Sequence, residues 1–364
     1  MKKKILFLVN HDIAIYNFRL EIVERLLEEG YDVHISSPYG ERIPELIALG
    51  CCFHEIEINR HGINPFEEVK LIKKYKKLFQ TVQPDIILGF TIKPNIYGSI
   101  AAKKFNIPFI ANITGLGTAV EYKSWKQPIF IGLYKLAFKK IHKVYFQNTS
   151  NRDFFLKNNI MNDRYNLIPG SGVNLIRFSE RPYPNNGHVK FSFISRVMQE
   201  KGINQFIDTA LYIRQKYPQT EFHVYGFCEQ AYEEKLKKLQ EQGIVIYHGM
   251  IKDIAGALES TSCLLHPSYY PEGLSNVLLE ASAIGRPIIT TNRPGCREVI
   301  DVGVNGYLVE QKNSQDLIKK VEKFLNLTQE EKIELGHNAR VKVEKEFDRQ
   351  IIVAQYMKDI AKAI

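Results

Sequence analysis

Short apolar runs alternate with helix-spaced apolar positions along the chain. Residues 5–9 form a first run, and 18–29 carry a helical pattern closed by Gly30. Residues 33–36 then lead to a helical stretch at 41–49 closed by Gly50; 86–89 precede a helix predicted over 95–105, with 109–113 following. Helices closed by glycine and followed at once by a strand mark parallel β-α units. Their expected product is a doubly wound sheet. The pattern thins over 178–188, where Arg181-Pro-Tyr-Pro-Asn-Asn-Gly-His188 has no apolar period and reads as an interdomain linker. Alternation then restarts, with strands predicted at 190–194, 221–225, 245–248, 263–266 and 287–291 and helices at 204–215, 232–242 and 274–284. The expected architecture is therefore α/β, with two doubly wound domains over 1–180 and 188–346. Two similar halves in tandem suggest a ligand cleft between them. An amphipathic helix over 347–364 is expected to cross back onto the first.

Composition narrows this reading. A chain of 364 residues suits two domains of about 150–200 residues each. At 45% hydrophobic and 24% charged, it has the balance of a globular protein. The five cysteines fall as one adjacent pair, Cys51-Cys52, and three singletons, with no metal or redox spacing; this fits a reducing cytosol. The run at 5–9 is too short for a signal peptide and has no small-residue cleavage site, so a buried strand is expected there. No stretch approaches the roughly 20 apolar residues of a membrane span. The net charge of +9 favours anionic partners: nucleic acid, anionic lipid or phosphorylated substrates. Composition does not choose among them.

The chemistry concentrates after the strand at 263–266, in Pro267-Ser-Tyr-Tyr-Pro-Glu-Gly-Leu-Ser-Asn276. A strand end, a polar loop and a helix start near Gly273 should aim backbone N–H groups at the strand's C-terminal edge, where they attract phosphate. Glu272 precedes that start and Glu280 lies about two turns inside. Such carboxylates can accept hydrogen bonds from sugar hydroxyls. Equally, Glu272 could merely complement the helix dipole and Glu280 could be a solvated face residue. A second strand end, Ser195-Arg-Val-Met-Gln-Glu-Lys-Gly202, sets Arg196 and Lys201 on a loop at the same sheet edge. Arg196 can grip phosphate oxygens bidentately and Lys201 can add a point charge. Either cation alone could be a surface residue; the two strand-end patterns together are a stronger signal.

Residues 190–309 resemble the donor-binding half of family 4 (group 1) retaining glycosyltransferases of the GT-B fold. The resemblance rests on Arg196 and Lys201, Gly226, Gly249, Pro267-Ser268, Glu272 and Glu280, Gly285-x-Pro287, Gly295 with Glu298, and Asn305-Gly306. It implies two Rossmann-like domains facing across a cleft and transfer of a hexose or N-acetylhexosamine from a nucleotide diphosphate sugar, with UDP the commonest carrier in the family. It further implies that Arg196 and Lys201 bind the donor diphosphate, that Glu272 and the following backbone (Gly273, Leu274, Ser275) hold the donor sugar, and that Glu280 takes the ribose hydroxyls. Gly226 and Gly249 are assigned to the donor side. No cofactor and no metal are expected, since cations stand where a metal would neutralise phosphate and no Asp-x-Asp closes a strand.

The N-terminal half matches less closely. The loop Asn10-His-Asp-Ile-Ala-Ile-Tyr-Asn17 lacks the family's frequent glycine-rich turn, and Asn112-Ile-Thr-Gly-Leu-Gly-Thr118 lacks its frequent histidine. His11, Asp12, Thr114, Gly115 and Gly117 are assigned to the acceptor side; an ordinary polar loop is the competing reading. Tyr16-Asn-Phe-Arg19 and Thr114–Gly117 resemble transferases that extend undecaprenyl-diphosphate-linked sugars. That implies a polyprenyl-diphosphate-linked saccharide acceptor and a place in surface polysaccharide or glycan assembly.

Over 122–143, Lys123, Lys126, Lys135, Lys139, Lys140 and Lys143 interleave with Trp125, Phe130, Ile131, Leu133, Tyr134 and Phe138. This suits an anionic membrane surface, with a second basic run at 70–77. The competing reading is a helix packed on the first sheet with solvated lysines. The expected location is cytoplasmic, peripheral to the inner face of the cell membrane. Rival functions are a GT-B epimerase, distinguished by free epimerised sugar, and a non-catalytic two-domain sugar-binding protein, a class that is usually secreted. No nucleic-acid partner is expected, since no recognition helix or RNA-binding signature occurs.

Overall fold

A computed structural model describes residues 2–59, 62, 64–117, 120, 125–161, 163–185 and 187–364. Two compact units divide the chain. The first holds Met1–Gly172, Pro271–Leu274 and Arg349–Ile364; the second holds Val173–Tyr270 and Ser275–Asp348.

The first unit carries seven strands: β1 (Lys4–Leu8), β2 (Asp32–Ser37), β3 (Cys52–Glu55), β4 (Ile86–Phe90), β5 (Phe109–Ile113), β6 (Lys143–Phe146) and β7 (Tyr165–Leu167). They pair in parallel in the order β3-β2-β1-β4-β5-β6-β7. Alternate residues of β1 feed opposite faces: Leu6 and Leu8 join one core, Ile5 and Phe7 the other. A strand covered on both sides needs this unbroken apolar run. The helix Arg349–Ala363 adds Ile352, Val353, Tyr356 and Ile360 to the second of these cores. Its Arg349 donates to both oxygens of Glu21 at 2.9 Å.

The second unit carries β8 (Val189–Ile194), β9 (Thr220–Tyr225), β10 (Ile246–Tyr247), β11 (Cys263–His266), β12 (Ile288–Thr291) and β13 (Gly306–Val309). They are parallel, in the order β10-β9-β8-β11-β12-β13. The stretch 178–188 packs with this unit: the fully buried guanidinium of Arg286 donates to the carbonyls of Arg181 and Pro182 at 3.1 and 2.8 Å.

Both units are Rossmann-like, as the alternating pattern implied. Local differences have physical causes. The helix expected over 95–105 is a π-turn (Pro94–Gly98), a short α-helix (Ser99–Ala102) and a 3-10 turn (Lys103–Phe105). A proline without an N–H at its start suits such irregular winding. Edge strands β3, β7 and β13 have no sequence counterpart in the reading above, being short and flanking the sheets. No helix among the described residues is long and apolar enough to cross a membrane.

Candidate functional site

In the second unit the strand order reverses between β8 and β11, which pair directly. Loops leaving the C-terminal ends of such neighbours form the ligand crevice of an open α/β sheet. These two loops carry the residues singled out above.

After β8 the chain makes a 3-10 turn, Gln199–Lys201, and enters the helix Ile203–Lys216 through Gly202. Gly202 has φ +83° and packs so tightly that a Cβ would stand 2.1 Å from the Pro267 carbonyl oxygen of the β11 loop. Gly226, after β9, has φ +137° and would place a Cβ 1.8 Å from the Ser195 oxygen. Its N–H donates to the Gly249 carbonyl at 2.7 Å. Gly226 and Gly249 thus fix the loop backbone from which Arg196 projects.

Arg196 is about a third exposed and donates to Glu229 at 2.5 Å. Lys201 is buried, and burial followed by the charge of Arg196 lowers its pKa to about 7. Both cations lie 5.0 Å from the centre of the Tyr270 ring. Tyr270 is itself held in place, because Arg293 donates to its carbonyl at 2.8 Å and Tyr269 N–H donates to the Glu200 carbonyl at 2.8 Å. A ring face gathers cations that would otherwise repel one another.

The helix Asn276–Ala283 starts beside them. Its N-cap Ser275 makes no side-chain cap bond; its hydroxyl pairs with His266 Nε2 at 3.1 Å instead. His266 is fully buried, and desolvation holds its pKa down to about 3, so the ring is neutral. The diverted serine and the absence of acidic residues from the first turn suit this helix start to an anion. Glu280 is half-buried and one turn inside, not two, because the helix begins at Asn276 rather than 274.

The preceding segment, Pro271–Leu274, belongs to the first unit. Gly273 N–H donates to the Thr114 carbonyl at 2.8 Å, and Asn148 Nδ2 donates to the Gly273 carbonyl at 2.6 Å. A Cβ on Gly115 would stand 2.9 Å from the Pro271 carbonyl oxygen. Thr114 and Gly115 therefore hold the strap that carries half-buried Glu272, while Gly117 packs instead near Ile92. Leu274 is buried against Gly170.

His11 and Asp12 follow β1. Asp12 is buried, its Oδ1 is 2.5 Å from His11 Nδ1, and its Oδ2 accepts the Arg42 N–H at 2.7 Å. Asp12 thus anchors the loop before Arg42, while Nδ1 of the partly exposed His11 accepts the Ile13 N–H at 3.2 Å. Sequence reading missed Tyr270, Glu229, Arg293, His266 and Asn148. Of these, only Tyr270 sat within a motif it had singled out.

On the first unit's surface the basic stretch resolves in part. Phe130, Ile131, Leu133, Tyr134 and Phe138 of the helix Lys126–Phe138 pack on the core. Trp125, Ile129 and Leu136 face outward at 69, 53 and 57% exposure. Lys143 belongs to β6, not to this helix, and pairs with Asp359 at 2.8 Å. Lys123 lies outside the described residues.

Residues 177–342 match the family described as Glycosyl transferases group 1, and 4–148 match Glycosyl transferase 4-like. The chain is a glycosyltransferase, with a group 1 domain over 177–342 and a 4-like domain over 4–148. This transferase is 28% identical to the N,N'-diacetylbacillosaminyl-diphospho-undecaprenol alpha-1,3-N-acetylgalactosaminyltransferase of Campylobacter jejuni, over 97% of the chain and 96% of that protein. It is 26% identical to the capsular polysaccharide biosynthesis glycosyltransferase CapM of Staphylococcus aureus, covering 91 and 90% of the two. Anabaena HepE, solved in complex with UDP and glucose, superposes with a TM-score of 0.81 at 18% identity, covering 99% of this chain and all of that one. The transferase thus has the GT-B fold, built from two Rossmann-like units.

Proposed function

We propose that this transferase moves a hexose or N-acetylhexosamine, with retention of configuration, from a UDP-sugar to a polyprenyl-diphosphate-linked saccharide in surface polysaccharide assembly. The donor half of this reading rests on one observation: Arg196 and Lys201 converge on Tyr270 beside a helix start whose serine is turned away. As the bond between the anomeric carbon and the diphosphate oxygen breaks, its electron pair goes to the departing diphosphate. Preorganised cations and N–H dipoles stabilise that developing charge. In this role they replace a metal. The negative diphosphate also restores the proton to Lys201, so its charge appears where the leaving group needs it. Glu272 and the backbone after it hold the donor sugar, and Glu280 takes the ribose hydroxyls. His11 and Asp12 lie on the acceptor side.

The acceptor class is supported by the near full-length similarity to the Campylobacter enzyme, whose named substrate is undecaprenol-linked. A lipid-linked acceptor also fits the outward Trp125, Ile129 and Leu136 among Lys126, Lys135, Lys139 and Lys140. Exposed apolar residues with flanking lysines suit an anionic membrane surface, and we assign the enzyme to the cytoplasmic face.

The test is to offer the purified protein several UDP-sugars with a short-chain polyprenyl-diphosphate sugar and read products by mass. An acceptor mass raised by one sugar, and binding of UDP by calorimetry, are expected. Absence of affinity for both UDP and GDP would overturn the donor reading. Failure to co-sediment with anionic vesicles at low salt would remove the membrane surface alone.

A further inference from the structure

The two sheets repeat one device. In the second unit, Glu221 and His223 on β9 stand beside His248 just past β10: Glu221 Oε2 is 3.0 Å from His223 Nε2, and His223 Nδ1 is 2.9 Å from His248 Nε2. In the first unit, Asp32 and His34 on β2 stand beside His54 on β3, with His34 Nδ1 2.9 Å from His54 Nε2. The strands correspond, since β3-β2-β1 matches β10-β9-β8. The copies differ at one register position. His223 faces Ile246, whereas His34 faces Cys52.

They differ also in how the acid meets its histidine. The second-unit contact is a hydrogen bond, so a proton joins Glu221 and His223. His34 is 93% buried by its 7% exposure, yet its buried Nε2 has no hydrogen-bond partner among the described residues. Asp32 Oδ2 lies 3.2 Å away, outside hydrogen-bond geometry. If His34 donates its Nδ1 proton to His54, a nitrogen lone pair and a carboxylate face each other across that gap. A cation resolves the conflict. One donor atom each from Asp32, His34 and Cys52 lies within 4.8 Å of the others. Zinc–nitrogen and zinc–oxygen bonds of about 2.0–2.1 Å put such atoms about 3.3 Å apart in a tetrahedron.

We propose that Asp32, His34 and Cys52 bind a divalent transition metal of the zinc type. Carboxylate, imidazole and thiolate are zinc's ligand set, and solvent fills the fourth position. His54 acts through His34: by accepting the Nδ1 proton it fixes the tautomer that presents Nε2 to the metal. Exposed Cys52 and half-buried Asp32 leave an entry path. Asp32 and Cys52 are the first residues of β2 and β3, at the sheet end opposite the loop that carries His11 and Asp12. The ion therefore clips edge strand β3 to its neighbour and takes no part in sugar transfer. The cysteine spacing carried no metal motif because strand pairing, not local sequence, brings the ligands together.

The experiment is to strip the full chain with chelator and titrate it with Co²⁺ near neutral pH. One equivalent should bind with a thiolate-to-cobalt charge-transfer band, Zn²⁺ should displace it, and Zn²⁺ should raise Tm by several degrees. Cys52→Ser should abolish the band while leaving the far-ultraviolet dichroism unchanged. His54→Gln should weaken zinc binding by about 10–100-fold. A chain that takes up neither ion, or a Cys52→Ser variant with an unchanged band, would overturn the assignment.

Discussion

Arg196 donates through Nη1 to Glu229 Oε2 at 2.5 Å, so the guanidinium is held in one orientation. The pair is about one-third exposed on both sides and contributes little to stability. Arg196→Ala should lower kcat/KM by about 10²–10³, with Tm almost unchanged. Glu229→Gln should cost about tenfold, less than the 10² that a 1 Å misplacement can cost. Steady-state kinetics with a thermal melt of each variant checks both.

Lys201 has a sharper pH signature. Its pKa falls from 10.5 to about 7 because of burial and then Arg196. Between those values the unfolded chain binds a proton that the folded chain does not, so this group's contribution to stability rises with pH above about 7. Lys201→Met should therefore keep or raise Tm while losing about 10²–10³ in kcat/KM. Nucleoside diphosphate binding at pH 8 should take up a proton, seen as a buffer-dependent calorimetric enthalpy.

Gly226→Ala should destabilise the second unit by at least about 2 kcal/mol through overpacking, because the new Cβ would collide with the Ser195 oxygen. Denaturant titration measures this. Gly249→Ala meets no atom within 4 Å and bears only the strain of φ +66°, so its loss should be smaller.

Asn148 caps its own helix, accepting the Asn151 N–H at 2.8 Å, and also donates to Gly273. Asn148→Ala should cost about 1–2 kcal/mol for the cap. It should also lower kcat through the slackened Glu272 strap. Asn148→Asp keeps the cap acceptor but sets a carboxylate oxygen against the Gly273 carbonyl, so it should recover at most part of the cap's stability and none of the kcat.

Neutral His266, held down to about 3, and His223, held down to about 4, give an acid limb. As pH falls below about 6.5 the unfolded chain takes up protons these rings refuse, and stability drops. His266→Gln should shrink the fall in Tm between pH 7 and 5.

The doubly wound units were legible because buried strands such as β1 and β4 are nearly continuous apolar runs, and glycines such as Gly30 and Gly50 close the helices that separate the strands. Arg196 and Lys201 were legible for a related reason: each sits within a few residues of a strand end. Tyr270 stood inside the motif but looked like loop filler, since its value comes from cations contributed by another strand's loop. Glu229 carried no local signal, and Asn148 carried only that of a helix cap. The partners that tie them to Arg196 and to Gly273 lie 33 and 125 positions away in the chain.

The helix Arg349–Ala363 supplies core residues to a unit whose strands end at Leu167. On the ribosome, the second unit emerges and can close before this helix appears. The half made first is thus finished last, since the core face holding Ile5 and Phe7 waits for Tyr356 until the intervening domain has been made.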